Sequence, residues 1–225
     1  MEKQNELVLE ILKRLSGAGV LERVLLIGSW AASFYRGYFR SPDYAPVLRT
    51  RDIDFLIAPR TRFSKPVDLH LLLKDLGFDL EFSPGGYMRL ESDELILEML
   101  SPEVGPPKNR PLSFPDLKFN AQPLRHLSTL SRDPIVIDIE GVAVHLPHPA
   151  DFALHKLVIS DSRKNREKKS KDIESAYQIL EALLSKEQES VLRLAFQELS
   201  QKEQQKVRKL ITAGSFSDRI TFQTL

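Results

Sequence analysis

The chain has 225 residues, of which 42% are hydrophobic and 28% are charged, and its formal net charge is +1. This composition is typical of a globular protein with a sizeable core, and the near-neutral charge gives no sign of a nucleic-acid partner. The absence of cysteine excludes disulfides and cysteine-ligated zinc, and no apolar run approaches the roughly 20 residues of a membrane span, so we expect a cytoplasmic protein without a membrane partner.

The first hundred residues predict helices alternating with short strands. "NELVLEILKRLSGAG" carries an apolar stripe at helical spacing and ends in glycines. "RVLLIG" predicts a buried strand, after which Ser29 is placed to cap a helix through "WAASFYRGYF". "DIDFLI" predicts the next strand, and Pro66 opens a helix that ends at Gly77. "FDLEF", "GYMRLES" and "ELILEML" then predict three successive strands.

The second half changes character. Residues 101–134 begin with a proline-rich segment without periodicity, which predicts a long surface connection. "PIVIDIEGVAVHL" is typical of a hairpin, and the pattern from Pro149 onward is helical to about Ile211. We therefore predict an α/β (α+β) fold, with a mixed sheet and flanking helices in residues 1–146 and a helical bundle in residues 147–225.

Two aspartates begin the "DIDFLI" strand on the same face. Side chains alternate along a strand, so Asp52 and Asp54 lie roughly 7 Å apart on one face while Ile53 and Phe55 point to the other. Two carboxylates this close repel each other unless a cation lies between them, and Mg²⁺ bound with substrate phosphates meets that need. The alternative is a pair of solvated aspartates at a strand start.

Glu98 is the only charged residue in "LILEML". A buried carboxylate without a partner is unfavourable, so a metal ion, a lysine or an arginine should compensate it. If its strand lies beside the Asp52 strand, three carboxylates converge as two-metal phosphoryl or nucleotidyl transfer requires. The alternative is an exposed edge strand.

Gly28 and Ser29 form the turn upstream of these acids. Glycine allows a phosphate to approach the backbone, and a following helix offers free N–H groups, although a plain helix cap has the same pattern. No P-loop, G-x-G-x-x-G or H-E-x-x-H sequence is present.

Together these segments resemble the nucleotidyltransferase superfamily with the DNA polymerase beta-like fold. Its motif is a strand, Gly-Ser or Gly-Gly, a helix, a strand with hydrophobic-Asp-hydrophobic-Asp, and a third acid on a later strand. Here it corresponds to "LLIGSWAASFY", "RTRDIDFLI" and "LILEML". The 22 residues between Ser29 and Asp52 form an unusually long gap, and Glu98 stands where aspartate is commoner.

The segment "LPHPADFALHKLVISDSRKNREKKSKDIESAYQILEAL" is similar to bacterial nucleotidyltransferase-like proteins, including AbiEii-type toxins of toxin–antitoxin systems. This resemblance implies that Lys156 contacts the nucleoside triphosphate and that Asp172 supports the site or binds near the base.

Further basic and aromatic residues have open roles. The stretch "RKNREKKSK", residues 163–171, either binds triphosphate or a nucleic-acid backbone or is a solvated linker, and Arg163 is its expected site residue. Arg49 and Arg51 flank the aspartate strand, as phosphate ligands or in structural ion pairs. A structural role is favoured over base stacking for Trp30, and over metal binding for His145, His148 and His155.

The predicted activity is Mg²⁺-dependent transfer of a nucleoside monophosphate from an NTP to a hydroxyl. Asp52, Asp54 and Glu98 are the expected catalytic residues and ligands of two Mg²⁺ ions, with Glu98 also a candidate general base. The expected nucleotide-binding residues are Gly28, Ser29, Lys156, Arg163 and Asp172. The acceptor is open among RNA (tRNA included), a protein and a small molecule. A nucleotide-binding module without turnover and a metal-dependent phosphohydrolase or nuclease are the alternatives.

Overall fold

The computed structural model describes residues 2–46, 50–103, 105 and 110–213. They form two compact units. The first comprises Met1–Phe34, Leu48–Ser128 and Pro134–Leu146, and the second comprises Tyr35–Val47, Thr129–Asp133 and Pro147–Leu225. The units thus take up more than one chain segment each, and the division into a catalytic domain over 1–146 and a helical domain over 147–225 stays a proposal.

The helices and strands follow the predicted order through β5 and again from β8 onward. The helices are α1 (Glu2–Gly17), α2 (Gly28–Phe39), α3 (Leu69–Leu73), α4 (Pro149–Ser160), α5 (Arg166–Ser185), α6 (Glu189–Gln197) and α7 (Gln201–Ala213). The strands are β1 (Val24–Ile27), β2 (Asp52–Ile57), β3 (Asp79–Ser83), β4 (Tyr87–Glu91), β5 (Ile96–Pro102), β6 (Leu112–Phe114), β7 (Phe119–Leu124), β8 (Ile135–Ile139) and β9 (Val142–Leu146).

The main sheet is mixed, as predicted. Its strands lie in the order β1-β2-β5-β4-β3, with β2 parallel to β5 and the other neighbours in this row antiparallel. The second half of β5 pairs in parallel with β7, and β7 pairs with β6. The hairpin β8–β9 forms a separate two-stranded sheet. The mixed sheet with flanking helices and the helical C-terminal segment confirm the predicted fold class.

The central strands β2 and β5 are buried on one face. Ile53 and Phe55 are fully buried, as is Leu97, while the residues between them in sequence are only half-buried. The apolar face of these strands therefore packs into the core, and the opposite face carries the carboxylates. This burial fixes the register, because a slip of one residue would turn the acids into the core.

The prediction of a long surface connection over 101–134 is wrong. This segment contains β6 and β7, and its side chains Leu117, Phe119 and Ala121 are buried. Among the residues that the structure describes here, Pro102 ends β5 and Pro123 lies near the end of β7. Prolines are uncommon in strands, so a proline-rich sequence does not indicate these short strands.

The basic stretch 163–171 is only partly a linker. Asn165 caps helix α5 by accepting a hydrogen bond from the backbone N–H of Lys168 at 3.1 Å, so the helix already begins at Arg166. Of the segments that the structure describes, no helix is both long and apolar enough to cross a membrane.

His148 is the N-cap of α4, and its Nδ1 accepts a hydrogen bond from the backbone N–H of Ala150 at 3.1 Å. Burial lowers the pKa of His148 below its ordinary value of 6.5, against an opposing effect of Asp151. The folded state therefore favours the neutral ring, whereas the unfolded chain takes up a proton near pH 6.5.

We expect the free energy of unfolding of the wild type to fall as the pH drops through 6.5 toward the lowered folded pKa. His148→Asn keeps a side-chain cap without the titrating ring, so its stability should depend less on pH in this window. Urea unfolding of both proteins at pH 8, 7, 6 and 5 measures the difference, in which titrating groups that do not interact with His148 cancel. Parallel profiles would contradict the role of His148.

Candidate active site

Asp54 lies directly beside Glu98. The parallel pairing of β2 with β5 sets Asp54 opposite Glu98 and Asp52 opposite Ile96. All three carboxylates are on the half-buried face, since the alternate residues of both strands are buried. Neighbouring strands are about 4.8 Å apart, so Asp54 and Glu98 are close enough for their negative charges to repel strongly. The arrangement favours a cation on this face.

Gly28 lies next to Asp54, on the side away from Glu98. The antiparallel pairing of β1 with β2 sets Ile27 opposite Asp54, and Gly28 follows at once with a φ of +70°. A Cβ on Gly28 would overlap with Oδ2 of Asp54. Only glycine therefore fits both the backbone conformation and the space at this position.

Helix α2 begins at Gly28, so the prediction that Ser29 is its N-cap is wrong; Ser29 is half-buried in the first turn. The first N–H groups of a helix have no partners within the helix, and the N-terminal end carries a partial positive charge. The turn thus offers backbone donors and a hydroxyl next to the carboxylate of Asp54.

Arg89 also belongs to this face, although the sequence argument did not single it out. It pairs with Glu98 across β4 and β5, while the next residue, Leu90, pairs with Leu97 in the core. Its guanidinium lies 2.8 Å from Oε2 of Glu91, and its buried Nε has no hydrogen-bond partner in the part of the chain that the structure describes. The alternation of "YMRLE" indicates the face on which Arg89 lies, and the register of β4 on β5 sets it opposite Glu98.

Of the two arginines that precede the aspartate strand, the structure describes only Arg51. Arg51 donates a hydrogen bond from Nη2 to the carbonyl of Ser92 at 2.7 Å and lies 3.8 Å from Glu91, so its contacts are structural. Arg49 lies outside the described residues.

Lys156, Arg163 and Asp172 form a second group, in the second unit. Nζ of Lys156 donates to Oδ1 of Asp172 at 2.8 Å, and Nε of Arg163 donates to Oδ2 at 2.9 Å. Asp172 is 7% exposed and Lys156 is 11% exposed, whereas Arg163 is 42% exposed. Two cations on one buried carboxylate leave the group with a net positive charge.

Lys156 is held by packing as well as by charge. Its ammonium lies 5.4 Å from the ring centroid of Phe152, one turn earlier on α4. A solvent-exposed position for Lys156 is thereby excluded. The predicted site residues thus come together as two groups, Gly28, Ser29, Asp52, Asp54 and Glu98 in the first unit and Lys156, Arg163 and Asp172 in the second.

Comparison with known proteins gives the family. A family model described as Nucleotidyltransferase matches residues 6–201. The chain belongs to this nucleotidyltransferase family. The match includes every residue of both groups, and it supports a transferase. No curated protein sequence matches the chain.

Solved nucleotidyltransferase structures share the fold. The solution structure of the antibiotic-resistance factor ANT(2'')-Ia has 18% identity and a TM-score of 0.50, over 87% of this chain and 92% of that one. An antigenic nucleotidyltransferase-like protein from Paracoccidioides brasiliensis has 16% identity and a TM-score of 0.54, over 95% and 91%. The crystal structure of ANT(2'')-Ia with adenylyl-2''-tobramycin has 17% identity and a TM-score of 0.51, over 88% and 98%. At these identities the likeness shows the fold alone.

The carboxylates of this nucleotidyltransferase fit Mg²⁺ by chemistry. Mg²⁺ prefers oxygen ligands and is commonly held by one or two carboxylates together with substrate phosphates and water. Within the described ranges, no three His, Cys, Asp or Glu side chains form a ready-made metal site. Asp52 and Asp54 are two carboxylates of the kind that Mg²⁺ prefers.

Proposed function

We propose that this protein transfers a nucleoside monophosphate from an NTP to a hydroxyl acceptor with Mg²⁺. The observation that carries the proposal is the position of Asp54. It has Glu98 on one side and, on the other, Gly28, where no side chain fits. A carboxylate pair beside a helix start brings together a place for cations and a place for phosphates.

The acceptor oxygen attacks the α-phosphorus, the bond from that phosphorus to the bridging oxygen breaks, and pyrophosphate leaves. Asp52 and Asp54 would hold Mg²⁺, which when bound would neutralise phosphate charge and favour the deprotonated form of the acceptor hydroxyl. Glu98 contributes to a second cation position or takes the proton of the acceptor hydroxyl. Gly28 and Ser29 bind the β- and γ-phosphates through the helix start.

The basic group of the second unit is assigned to the leaving group. Lys156 and Arg163 neutralise charge as pyrophosphate departs, and Asp172 fixes both cations. Arg163 is the more exposed of the two and can turn toward an anion, while Lys156 is held in place by Asp172 and Phe152.

Labelled NTPs test this function. The full chain is incubated with Mg²⁺ and each NTP, labelled either at the α- or at the γ-phosphate, with RNA, protein and aminoglycoside as acceptors. Transfer moves the α-label to an acceptor and the γ-label to pyrophosphate. Labelled free phosphate or mononucleotide as the main product would support a phosphohydrolase instead. NTP binding without any product would support a binding module.

A closer relationship to AbiEii-type toxins is a narrower proposal. It is supported by the ion pair between Lys156 and Asp172, the two positions that the resemblance singled out. A toxin of this class would act in the cytoplasm, and its induced expression should stop bacterial growth. Growth arrest that persists in an Asp54→Asn variant would contradict a toxic transferase activity.

Gly28→Ala should impair both folding and transfer. Alanine at this position is strained by the φ of +70°, and its Cβ overlaps with the carboxylate of Asp54. The free energy of unfolding should therefore fall by more than the roughly 1–2 kcal/mol that left-handed backbone strain costs. Because Asp54 is displaced, the transfer rate should fall by about a hundredfold.

Gly19→Ala is the matched control. Gly19 has the same φ of +70° but no atom within 4 Å of the position of a Cβ. This variant should show the backbone strain with unchanged transfer. Urea unfolding and transfer rates of both variants separate the two effects, and equal losses in both would contradict the contact with Asp54.

A further inference from the structure

The second unit carries a basic surface that none of the proposed catalytic steps uses. Its first part comprises the end of the loop before α5 and the first turns of that helix, with the exposed Lys164, Arg166 and Lys168 and the half-buried Lys169. In the described part of the chain these four side chains form no ion pair, whereas their neighbours do: Lys171 pairs with Glu167, and Arg163 pairs with Asp172.

The basic charges are unfavourably placed for the helix itself. Asn165 caps α5, so Arg166 and Lys168 fall in the first turn, and Lys169 follows them. The N-terminal end of a helix is already positive, and acidic rather than basic side chains stabilise it. Glu167 is the one residue of the favourable sign in the first turn, and helix stability therefore does not explain the lysines and arginines around it.

A stripe of lysines on α7 extends the surface. Lys202, Lys206 and Lys209 follow one another at spacings of four and three residues, which places them on one face over about 10 Å. Nζ of Lys206 lies 3.7 Å from Oδ2 of Asp161, in the loop that leads to α5. This contact places one lysine of the stripe, Lys206, beside the loop that precedes α5.

The composition of the surface distinguishes between polyanions. Segments that bind anionic membranes combine lysines with apolar side chains such as Trp, Phe or Leu, which enter the lipid. Residues 161–171, "DSRKNREKKSK", contain no apolar residue. Solvated lysines and arginines without apolar neighbours instead suit the phosphates of a nucleic-acid backbone.

We propose that this basic surface binds the phosphate backbone of a single-stranded polynucleotide, which is the acceptor of the transferred nucleotide. That this strand is the acceptor rests on the proposed function, but its binding to the surface does not. The surface positions the strand through its phosphates without reading its sequence, so affinity should depend strongly on salt and little on base composition.

Fluorescence anisotropy with a labelled 20-nucleotide single-stranded RNA tests the binding, without NTP. If four to six phosphates are contacted, the plot of log K against log salt should have a slope of about −3 to −4. A DNA strand of the same sequence is the second probe: equal binding identifies the backbone as the ligand, and stronger RNA binding adds a contact to the 2′-hydroxyl.

The variant Lys164→Glu/Lys168→Glu/Lys169→Glu should bind at least tenfold more weakly, with a shallower salt slope. Glutamate near the start of α5 favours the helix, so the variant should fold, which circular dichroism and thermal unfolding verify. The matched control, Lys13→Glu/Lys65→Glu/Lys74→Glu, changes the net charge equally at exposed lysines of the first unit and should bind as the wild type does.

Three results would overturn the proposal: no RNA binding at low salt, equal weakening by both triple variants, or equally strong binding to phosphatidylserine vesicles or polyglutamate. Failure of the proposed function is distinguishable, because an inactive protein would still bind RNA at this surface. An active wild type that labels RNA, and a triple variant that no longer does, would connect the binding to the transfer.

Discussion

Asp54→Asn is expected to reduce nucleotidyl transfer by about a thousandfold or more, which corresponds to ~4 kcal/mol of transition-state stabilisation. Asp54 lies between the other two features of the proposed site, since Glu98 pairs with it and a Cβ on Gly28 would overlap with its carboxylate. Asparagine has the same size but lacks the negative charge that holds a cation against the substrate phosphates.

The fold should survive this substitution. The change removes one of three like charges on the face, so the midpoint of unfolding should stay close to that of the wild type. Asp79→Asn is the matched control, because Asp79 is an exposed aspartate at the start of β3 in the same sheet, and it should leave transfer unchanged. Full activity in a well-folded Asp54→Asn protein would refute the metal-binding role.

Asp172→Leu is expected to destabilise the second unit by about 3–5 kcal/mol, because it leaves a nearly buried lysine without its carboxylate. Lys156 is 11% exposed and hydrogen-bonded to Asp172, and its ammonium lies over the ring of Phe152. Arg163 is 42% exposed and can return to solvent, so most of the loss should come from Lys156.

A double variant isolates this cause. Lys156→Met/Asp172→Leu removes both buried charges and keeps side chains that fill the space, so it should recover most of the lost stability. Urea unfolding of the wild type, both single variants and the double variant gives the coupling between the two positions. Additive losses would mean that the ion pair contributes nothing beyond the separate packing of each side chain.

The fold was predictable where apolar and polar residues alternate clearly. In "DIDFLI" and "LILEML" the period of two decided which side chains enter the core, and the buried Ile53, Phe55 and Leu97 confirm it. The same alternation predicted that Asp54 and Glu98 each lie on the polar face of their strand. That the two strands are neighbours, in a parallel register that sets Asp54 opposite Glu98, could not be predicted from the sequence.

The remainder depended on contacts between distant segments. The strands β6 and β7 are short and interrupted by prolines, and they are stabilised by pairing with β5 rather than by their own pattern. The partner of Lys156 was likewise hidden, because an ion pair across sixteen residues needs the packing of α4 on α5. The position of Arg89 opposite Glu98 likewise depends on the register of β4 on β5, which the sequence does not reveal.

A crystal structure with Mg²⁺ and a non-hydrolysable NTP tests the central claim most directly. We predict Mg²⁺ on the carboxylates of Asp52 and Asp54, with the β- and γ-phosphates against the backbone of Gly28 and Ser29. A nucleotide bound elsewhere, with neither aspartate contacting the metal, would contradict the account.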